Sequence, residues 1–529
     1  MPLPPSCKDK EIAYYAHSLI SLLIMFGCGQ LTPITPLTPL GMNLIGIFLG
    51  VLYGWIFIDI IWPSMAGLLA LMLIGGMKPN ELFQTSFGDP LVMMMFFIFV
   101  FCATINYYGL SKFISLWFIT RKCVAGKPWL FTYTFFLSIM LLGALTSASP
   151  AVVIGWSILY GICDKCGYQK GEGYPTMMVF GIVYAAQIGM SIIPFKQVPF
   201  TVLGAYENMS GMTIDYAKYM IIAITCCALC SLLFIVMAKY VFKPDMKKLI
   251  SLDTGGLDTE GALRLNKVQK IVLGFLFALV VLLLLPNILP ATSGIARFFK
   301  TIGNTGICML LVTVMCLLKV DGKPLLRFKT MVDSGVTWGI ILILAVVMPL
   351  SHAMANDESG ITKFLMALMT PFFGNESSLV FALCMGFFAT VLTQFMNNGA
   401  TGIALMPVVY SYCTGMNVPP ELAIIMVVMG VHIAFLTPAA SASASLLHGN
   451  EWSNTKAIWR TVPIVILATW ATISAIVVAL GVALLLAIFA LQDSFGTACN
   501  VTGDGALAMM MEGIFNRNRQ LDDRFGTGE

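Results

Sequence analysis

The chain has 529 residues, of which 58% are hydrophobic and only 11% are charged. A soluble domain carries roughly 25% charged residues, so a soluble fold is excluded. At roughly 20 apolar residues per crossing, this composition predicts about a dozen membrane segments, in agreement with a mean hydropathy of +0.88. The formal net charge of +4 is small and dispersed over short loops, so we expect the lipid bilayer, and no nucleic acid, as a partner. The sequence predicts an all-α polytopic protein, multi-pass in the cell inner (plasma) membrane.

Apolar runs long enough, or nearly long enough, to cross the membrane follow one another along the chain, and they predict about 11 transmembrane helices in addition to the two re-entrant hairpins described below. The runs cover 12–29, 42–61, 90–107, 176–193, 219–241, 271–285, 301–318, 335–350, 421–435 and 461–491. From them we predict an N-terminal segment with the first span at 1–41, a first half at 42–242, a polar connecting loop at 243–270, a second half at 271–492 and a polar, disordered tail at 493–529.

Two regions depart from this simple pattern. Residues 128–163 contain no charge, yet their middle reads Thr-Ser-Ala-Ser-Pro at 146–150, where hydroxyl side chains precede a proline as they do at the start of a helix. Residues 377–420 are also uncharged, and the polar stretch Thr-Gln-Phe-Met-Asn-Asn-Gly-Ala-Thr lies at 393–401. Irregular backbone at membrane depth needs burial in protein or a cavity. Each region therefore predicts a re-entrant hairpin followed by a broken helix.

The two halves match at three polar landmarks. Gly-Leu-Ser-Lys-Phe at 109–113 matches Gly-Ile-Thr-Lys-Phe at 360–364, an offset of 251 residues. Ser147-Ala148-Ser149 meets Asn397-Asn398-Gly399 at an offset of 250, and the prolines at 194 and 438 meet at an offset of 244. Three landmarks in the same order indicate an internal duplication. We predict an inverted structural repeat, typical of a secondary transporter with its site at the repeat interface near the midplane.

The polar groups at the two breaks suit an anion. The N-terminal end of a helix presents backbone N–H groups and the positive end of its dipole. Side chains at the two tips add neutral hydrogen bonds without placing full charges in the bilayer, and we predict that they bind substrate: Ser147, Ser149, Asn397, Asn398 and Thr401. The alternative is that they only cap helix ends or join helices across the bundle.

These motifs, together with Gly-Asp-Pro at 88–90 and the Gly-Leu-Ser-Lys element at 109–112, make the chain similar to the divalent anion/sodium symporter family of the ion transporter superfamily. The resemblance covers roughly residues 42–491, and the family's two Ser-Asn-Thr motifs align with Ser147-Ala148-Ser149 and Asn397-Asn398-Gly399. It implies a scaffold and a transport unit in each protomer of a homodimer, with elevator-like alternating access. It also implies di- or tricarboxylate or sulfate substrates, usually coupled to sodium.

The resemblance also bears on the coupling ion. It places Lys196 where the family carries a glycine whose carbonyl helps to hold sodium, and Ala148 where the family carries a ligand asparagine. A lysine deep in the bilayer costs about 2.5 to 3.5 kcal/mol, so we predict that its ammonium substitutes for sodium and bonds carbonyls of the broken helices. The alternative is that Lys196 extends to the membrane interface. The resemblance also implies a second cation position, whose residues depart less from the family pattern. It comprises Thr393, Met396, Asn398 and Ala440.

We therefore predict a secondary active transporter of small dianions, foremost C4-dicarboxylates, with weakened sodium coupling or anion exchange. A sodium-coupled sulfate or tricarboxylate symporter is the first alternative. A cation/proton antiporter would need buried carboxylates, which the two hairpin regions lack. An intramembrane enzyme would need a nucleophile with its base or a H-E-x-x-H motif, and the sequence has neither. We expect no cofactor, with Na⁺ as the one ion to be considered.

Overall fold

The structure, a computed structural model, describes residues 7–110, 113–114, 117, 126–212, 214–249, 265–288, 294–373, 377–438, 440–454 and 456–479. Residues Met1–Ser474 pack as one unit and Ala475–Glu529 as another. The predicted tail at 493–529 and the middle of the predicted loop at 243–270 lie outside the described residues.

Helices account for nearly all of the described chain. In the first half they are α1 Cys7–Gly27, α2 Pro39–Phe57, α3 Ile61–Leu73, α4 Pro79–Thr85, α5 Pro90–Tyr107, α6 Pro128–Leu145, α7 Ala148–Cys166, α8 Gly173–Gly189, α9 Gln197–Ser210 and α10 Tyr216–Met237. In the second half they are α11 Lys267–Ile288, α12 Gly294–Leu317, α13 Phe328–Gly335, α14 Trp338–Ala355, α15 Ile361–Phe373, α16 Ser378–Leu392, α17 Asn398–Met416, α18 Glu421–Val431, α19 Ala442–His448 and α20 Lys456–Ala479. Two short antiparallel strands, β1 Lys319–Val320 and β2 Lys323–Pro324, form a hairpin between α12 and α13.

The all-α membrane fold is confirmed. Within the described residues, seven helices are long and apolar enough to cross a membrane, or up to eight if the bent pair α15 and α16 is counted as one span. Shorter helices such as α3, with 13 residues, and α9, with 14 residues, were not predicted. These helices are shorter than a membrane span, so a criterion of about 20 consecutive apolar residues does not detect them.

Each predicted hairpin is present as two helices with a sharp break. The helix α6 ends at Leu145 and α7 begins at Ala148, with Ser147 in an extended conformation at φ −164° and ψ 167°. In the second half, α16 ends at Leu392 and α17 begins at Asn398. There the side chain of Asn397 accepts a hydrogen bond from the backbone N–H of Gly399 at 3.0 Å. A polar residue thus occupies the N-cap of both restarted helices, and in the described chain Asn397 makes a side-chain capping hydrogen bond whereas Ser147 makes none.

Each hairpin is followed by a broken helix. The pair α8 and α9 is interrupted at 190–196, and the pair α18 and α19 is interrupted at 432–441. Both interruptions contain a proline, Pro194 or Pro438, which removes a backbone donor and prevents a continuous helix. The order of hairpin and broken helix is thus the same in the two halves.

The two halves also share unusual backbone geometry. Gly109 and Gly360, offset by 251 residues, both have φ +68°. Gly167 ends α7 at φ +69° and Asn417 ends α17 at φ +52°, an offset of 250 residues. Left-handed residues at helix ends close the final turn and favour glycine or asparagine. Left-handed turns therefore occur at two pairs of positions with offsets of 250 and 251 residues.

Paired glycines hold each hairpin close to the first part of its broken helix. A Cβ atom on Gly143 would lie 2.3 Å from the carbonyl oxygen of Ala186, and one on Gly189 would lie 2.2 Å from that of Met140. In the second half, a Cβ atom on Gly430 would lie 2.7 Å from the carbonyl oxygen of Gly386. Helices can approach this closely only where a side chain is missing. The hairpin and broken helix of each half therefore pack backbone to backbone.

Loops of the two halves meet at one end of these elements. Lys170 Nζ lies 2.6 Å from Glu451 Oε2, and this ammonium holds the pKa of the Glu451 carboxyl below its ordinary value. Nearby, the rings of Tyr160 and Trp452 stack with their centroids 5.3 Å apart. The contacts join the C-terminal part of α7 and the loop after it to the loop before α20.

The glycine contacts predict a clear difference between positions. Gly143→Ala and Gly189→Ala should each destabilise the protein by about 1 to 3 kcal/mol, because the new methyl group overpacks a backbone contact. Gly161→Ala is the matched control, since nothing lies within 4 Å of its Cβ position. The measurement is the unfolding temperature of the purified protein in detergent. Equal unfolding temperatures for all three variants would contradict the close packing.

Candidate functional site

A cavity of about 330 Å³ lies where the two hairpin tips and the two helix breaks meet. Its polar lining comes from both halves of the chain, and a second group of lining residues comes from the α2–α3 connection and from α14. The lining comprises Ile60, Ser147, Ala148, Ser149, Gln187, Met190, Gln197, Val198, Thr201, Thr337, Gly339, Ile340, Ile343, Asn397, Asn398, Gly399, Ser441, Ala442 and Ser443.

The structure brings both predicted tip motifs into this one cavity: Ser147, Ala148, Ser149, Asn397, Asn398 and Gly399. Thr401 lies differently. It is fully buried, and its hydroxyl donates to the carbonyl oxygen of Asn397 at 3.1 Å, so it supports the first turn of α17.

Several polar lining residues were not predicted: Gln187, Gln197, Thr201, Thr337, Ser441 and Ser443. A signal was available for the last two, since Ser441 and Ser443 lie three and five residues after Pro438, at the end of the second helix break and in the first turn of α19. Gln187 is a lone glutamine in an apolar run, a pattern that by itself indicates only an interior hydrogen bond. Its place in the wall of the cavity depends on how the halves pack.

The cavity has a polar side and an apolar side. Hydroxyls and amides come from α7, α17 and the helix breaks, whereas α14 and the residue before α3 contribute Gly339, Ile340, Ile343 and Ile60. Each lining residue in the described chain is uncharged. Hydrogen bonds and helix dipoles, rather than ion pairs, therefore determine what binds here.

A second cavity of about 390 Å³ adjoins the first, and Ser147, Gln197 and Thr337 line both. Lys196 is the charged residue among the described residues that line it. The residue is only 7% exposed. A buried positive charge thus lies beside the neutral cavity.

The ammonium of Lys196 is fully hydrogen-bonded within the protein. Its Nζ donates to the carbonyl oxygens of Leu145 at 2.7 Å and Thr146 at 2.8 Å, and to the Sγ of Cys102 at 3.2 Å. These three acceptors match the three hydrogens of an ammonium. Two of them are carbonyls at the C-terminal end of α6, where the helix dipole is negative. These three contacts engage all the hydrogens of the Lys196 ammonium, which leaves none to donate into either cavity.

Two of the four predicted cation ligands lie in direct contact. Thr393 Oγ1 is 3.2 Å from Asn398 Oδ1 and 3.0 Å from the carbonyl oxygen of Val431. A threonine hydroxyl has one hydrogen. When that hydrogen points to Val431, the oxygens of Thr393 and Asn398 face each other with lone pairs between them. Such a pair of oxygens fits a hard cation such as Na⁺.

The other two predicted ligands lie at the same hairpin tip and in the second helix break. Met396 is in the tip between α16 and α17, and Ala440 is fully buried in the break before α19. A hydroxyl contact links the tip to this break, since Thr437 Oγ1 donates to the carbonyl oxygen of Gln394.

Gln394 holds the second helix break in place. Its Nε2 donates to the carbonyl oxygens of Thr390 at 2.6 Å and Ile433 at 2.5 Å. Its Oε1 accepts from the backbone N–H groups of Phe435 at 3.3 Å and Leu436 at 3.0 Å. One side chain thus satisfies four backbone groups, three of them in the interruption between α18 and α19.

Two hairpins, two broken helices and a neutral polar cavity between them define a membrane transporter. The comparison with protein families agrees, because the model described as "Citrate transporter" matches residues 47–430. The chain belongs to this citrate transporter family, and it is a transporter rather than an enzyme.

Curated relatives carry related names. The sodium-dependent dicarboxylate transporter SdcS of Staphylococcus saprophyticus is 24% identical over 429 residues, which cover 77% of this chain and 80% of that protein. SdcS of Staphylococcus aureus strain USA300 is 21% identical over 433 residues, covering 78% and 80%. An uncharacterized transporter of Haemophilus influenzae is 20% identical over 449 residues, covering 82% and 89%. These matches confirm the similarity to the divalent anion/sodium symporters.

A solved structure shares the fold. The Alcanivorax borkumensis YdaH transporter, whose crystal structure is described as having an unusual topology, aligns with a TM-score of 0.56 at 14% identity. The alignment covers 89% of this chain and 98% of that chain.

Replacing Gln394 should destabilise the protein strongly. Gln394→Met keeps the length of the side chain but leaves four buried backbone groups without their partner, at about 1 to 3 kcal/mol for each group that finds no other. The exposed Gln84→Met is the matched control. We expect a loss of several degrees in the unfolding temperature for Gln394→Met alone, measured in detergent. An unchanged temperature would show that the helix break does not depend on this amide.

Proposed function

We propose that this protein is a secondary active transporter of small dianions, foremost C4-dicarboxylates, in the plasma membrane. The observation that carries the proposal is the 330 Å³ cavity, in which Ser147 of the first half and Asn397 of the second half share one wall. The names of the relatives, which include sodium-dependent dicarboxylate transporters, support this substrate class.

Recognition of the dianion would use neutral donors from the two tips. Asn397 caps α17 through its Oδ1, which leaves its amide hydrogens to face the cavity. Ser147 makes no capping hydrogen bond to α7 in the described chain, so its hydroxyl can donate to a substrate in the cavity. Together with the N-terminal turns of α7 and α17, the two residues provide one donor group for each end of a dicarboxylate.

The cavity volume favours a small substrate. Ligand pockets commonly measure about 300 to 1,000 Å³, and 330 Å³ is at the lower end of that range. A tricarboxylate is the second candidate, favoured by the neighbouring cavity of 390 Å³, which shares Ser147 and Gln197 with the first. A cation/proton antiporter is disfavoured, because no carboxylate lines either cavity in the described chain.

Sodium coupling is reduced in this proposal. The ammonium of Lys196 supplies a permanent positive charge at the carbonyls of Leu145 and Thr146, where it substitutes for one sodium ion. A fixed charge cannot dissociate, so it cannot carry the energy of a sodium gradient. The second cation position, formed by Thr393, Met396, Asn398 and Ala440, is the one at which sodium would contribute. If coupling through that position is also lost, the protein works as an anion exchanger.

Alternating access would follow an elevator mechanism in a homodimer. The hairpins and broken helices carry the polar side of the cavity, whereas α14 and the α2–α3 connection supply its apolar side. An apolar wall forms no ion pair with the substrate, which allows the polar side to move past it with the bound dianion. The inverted orientation of the two halves is part of this proposal.

The substrate class can be tested by uptake into proteoliposomes. Labelled succinate, malate, citrate and sulfate are compared with and without a sodium gradient, and with and without unlabelled substrate inside. We expect saturable uptake that is highest for the C4-dicarboxylates. Uptake of none of these anions, in protein that remains folded, would contradict the proposed function.

Charge at Asn397 should decide anion binding. Asn397→Asp keeps an oxygen that can cap α17 but places a negative charge in the cavity, so dicarboxylate uptake should fall at least about tenfold. Asn397→Ser also keeps a capping oxygen and should cost less, because it adds no charge. Both variants should unfold near the wild-type temperature. Normal uptake by Asn397→Asp would show that this residue only caps the helix.

Lys196 should determine how transport depends on sodium. In the wild type we expect a shallow, non-cooperative dependence on sodium concentration. Lys196→Gly and Lys196→Ala should lose uptake in the absence of sodium, because the carbonyls of Leu145 and Thr146 lose their cation. High sodium should restore uptake in Lys196→Gly. The control is Lys78→Ala at an exposed helix start. Steep sodium activation of the wild type, or sodium-free transport by both Lys196 variants, would refute the substitution.

A further inference from the structure

We propose that Gln187, Ser441 and Ser443 form a directional hydrogen-bond relay that orients the side-chain amide of Asn398. These three are positioning residues, since they act on the cation position through Asn398. The inference rests on the proposed function, because Thr393 and Asn398 belong to the cation position proposed above.

The relay is a continuous set of buried contacts. Gln187 Nε2 lies 2.7 Å from Ser443 Oγ, and Asn398 Nδ2 lies 3.4 Å from Gln187 Oε1. Ser443 Oγ lies 3.2 Å from Ser441 Oγ, which is 3.1 Å from the carbonyl oxygen of Ala434. Gln187 is 2% exposed, Ser443 is 1% exposed and Asn398 is 6% exposed, so most of each side chain is shielded by protein although all three border the cavity.

The direction of the relay is fixed at its far end. The carbonyl oxygen of Ala434 can only accept, so Ser441 must donate its single hydrogen to it. Ser443 then donates its own hydrogen to Ser441 and has none left for Gln187. The nitrogen of the Gln187 amide must therefore face Ser443, where it donates.

This direction passes to Asn398. With its nitrogen facing Ser443, Gln187 presents its oxygen to Asn398. Asn398 must therefore donate to this oxygen from its own side-chain nitrogen. The oxygen of Asn398 then faces Thr393 Oγ1 at 3.2 Å. The two orientations of an amide have the same shape, so only hydrogen bonding separates them. A reversed Asn398 would present N–H donors at the cation position and repel a cation.

The relay also joins the two halves of the chain. Gln187 belongs to α8 in the first half, whereas Asn398 begins α17 and Ser443 lies in the first turn of α19 in the second half. The oxygen that the second half offers to a cation is thus set by a residue of the first half. Gln394, the other buried glutamine at this site, bonds only to backbone and serves a different purpose.

The test measures sodium binding without transport. The purified full-length protein is unfolded by heat at increasing sodium chloride, with choline chloride keeping the ionic strength constant. Ser443→Ala removes the acceptor for Gln187, and Gln187→Met removes the amide at equal side-chain length. Each should raise the half-saturating sodium concentration about fivefold or more, as expected for the loss of one buried hydrogen bond. Ser443→Thr, which keeps the hydroxyl, should bind sodium like the wild type.

A buried serine elsewhere in the molecule provides the control. Ser231 is fully buried in α10 with its hydroxyl 3.6 Å from Met140 Sδ, so Ser231→Ala should leave the sodium dependence unchanged. If Gln187→Met does not fold, the Ser443 variants decide the matter.

The outcomes separate the relay from the proposed function. Wild-type sodium dependence in Ser443→Ala overturns the relay and leaves the cation position in place. Equal weakening in Ser443→Ala and Ser443→Thr also overturns it, since the hydroxyl would then be irrelevant. A wild type stabilised by succinate but not by sodium overturns the cation position together with the relay, while the anion site stands.

Discussion

The structure depends on one constraint: backbone groups at the hairpin tips and helix breaks are buried and need hydrogen-bond partners within the protein. Each interrupted helix exposes carbonyl and N–H groups that would cost several kcal/mol each if left unsatisfied in an apolar medium. In the first half, the ammonium of Lys196, at the end of the helix break, bonds the carbonyls of Leu145 and Thr146 at the hairpin tip. In the second half, the amide of Gln394 bonds Ile433 and two following N–H groups. The two solutions differ in charge, so the two halves of the chain are chemically unequal.

This inequality shapes the site between the hairpins. The main cavity is lined by neutral groups, while the positive charge lies at its edge and is fully bonded to protein. A dianion in the main cavity would therefore form hydrogen bonds with neutral donors and would be attracted by the Lys196 charge without contacting it. Such an arrangement attracts an anion without forming an ion pair that must be broken on release, which suits a carrier that has to let its cargo go.

Local chemistry was predictable from the sequence, but the packing between halves was not. The hairpin tips at Ser147 and Asn397 were indicated because polar residues interrupt uncharged stretches, and capping chemistry acts over a few residues. The bonding of Lys196 to carbonyls followed from the cost of burying its charge together with a family resemblance. Gln187 could not be assigned, since its partners Asn398 and Ser443 are more than 200 residues away in the chain. Short helices such as α9 were not predicted. With 14 residues, α9 is too short to be recognised as a membrane span, and its place depends on the helices it packs against.

The paired glycines have a consequence for how this protein can vary over evolutionary time. At Gly143, Gly189 and Gly430 any side chain would meet backbone at less than 3 Å, so those positions are closed to change. The tip residues border open space and are not restricted in this way. Both halves thus contain close glycine contacts between helices, whereas one tip is Ser-Ala-Ser and the other Asn-Asn-Gly. Selection for a new cargo can act on a few side chains at the tips, while the frame that carries them is inherited unchanged.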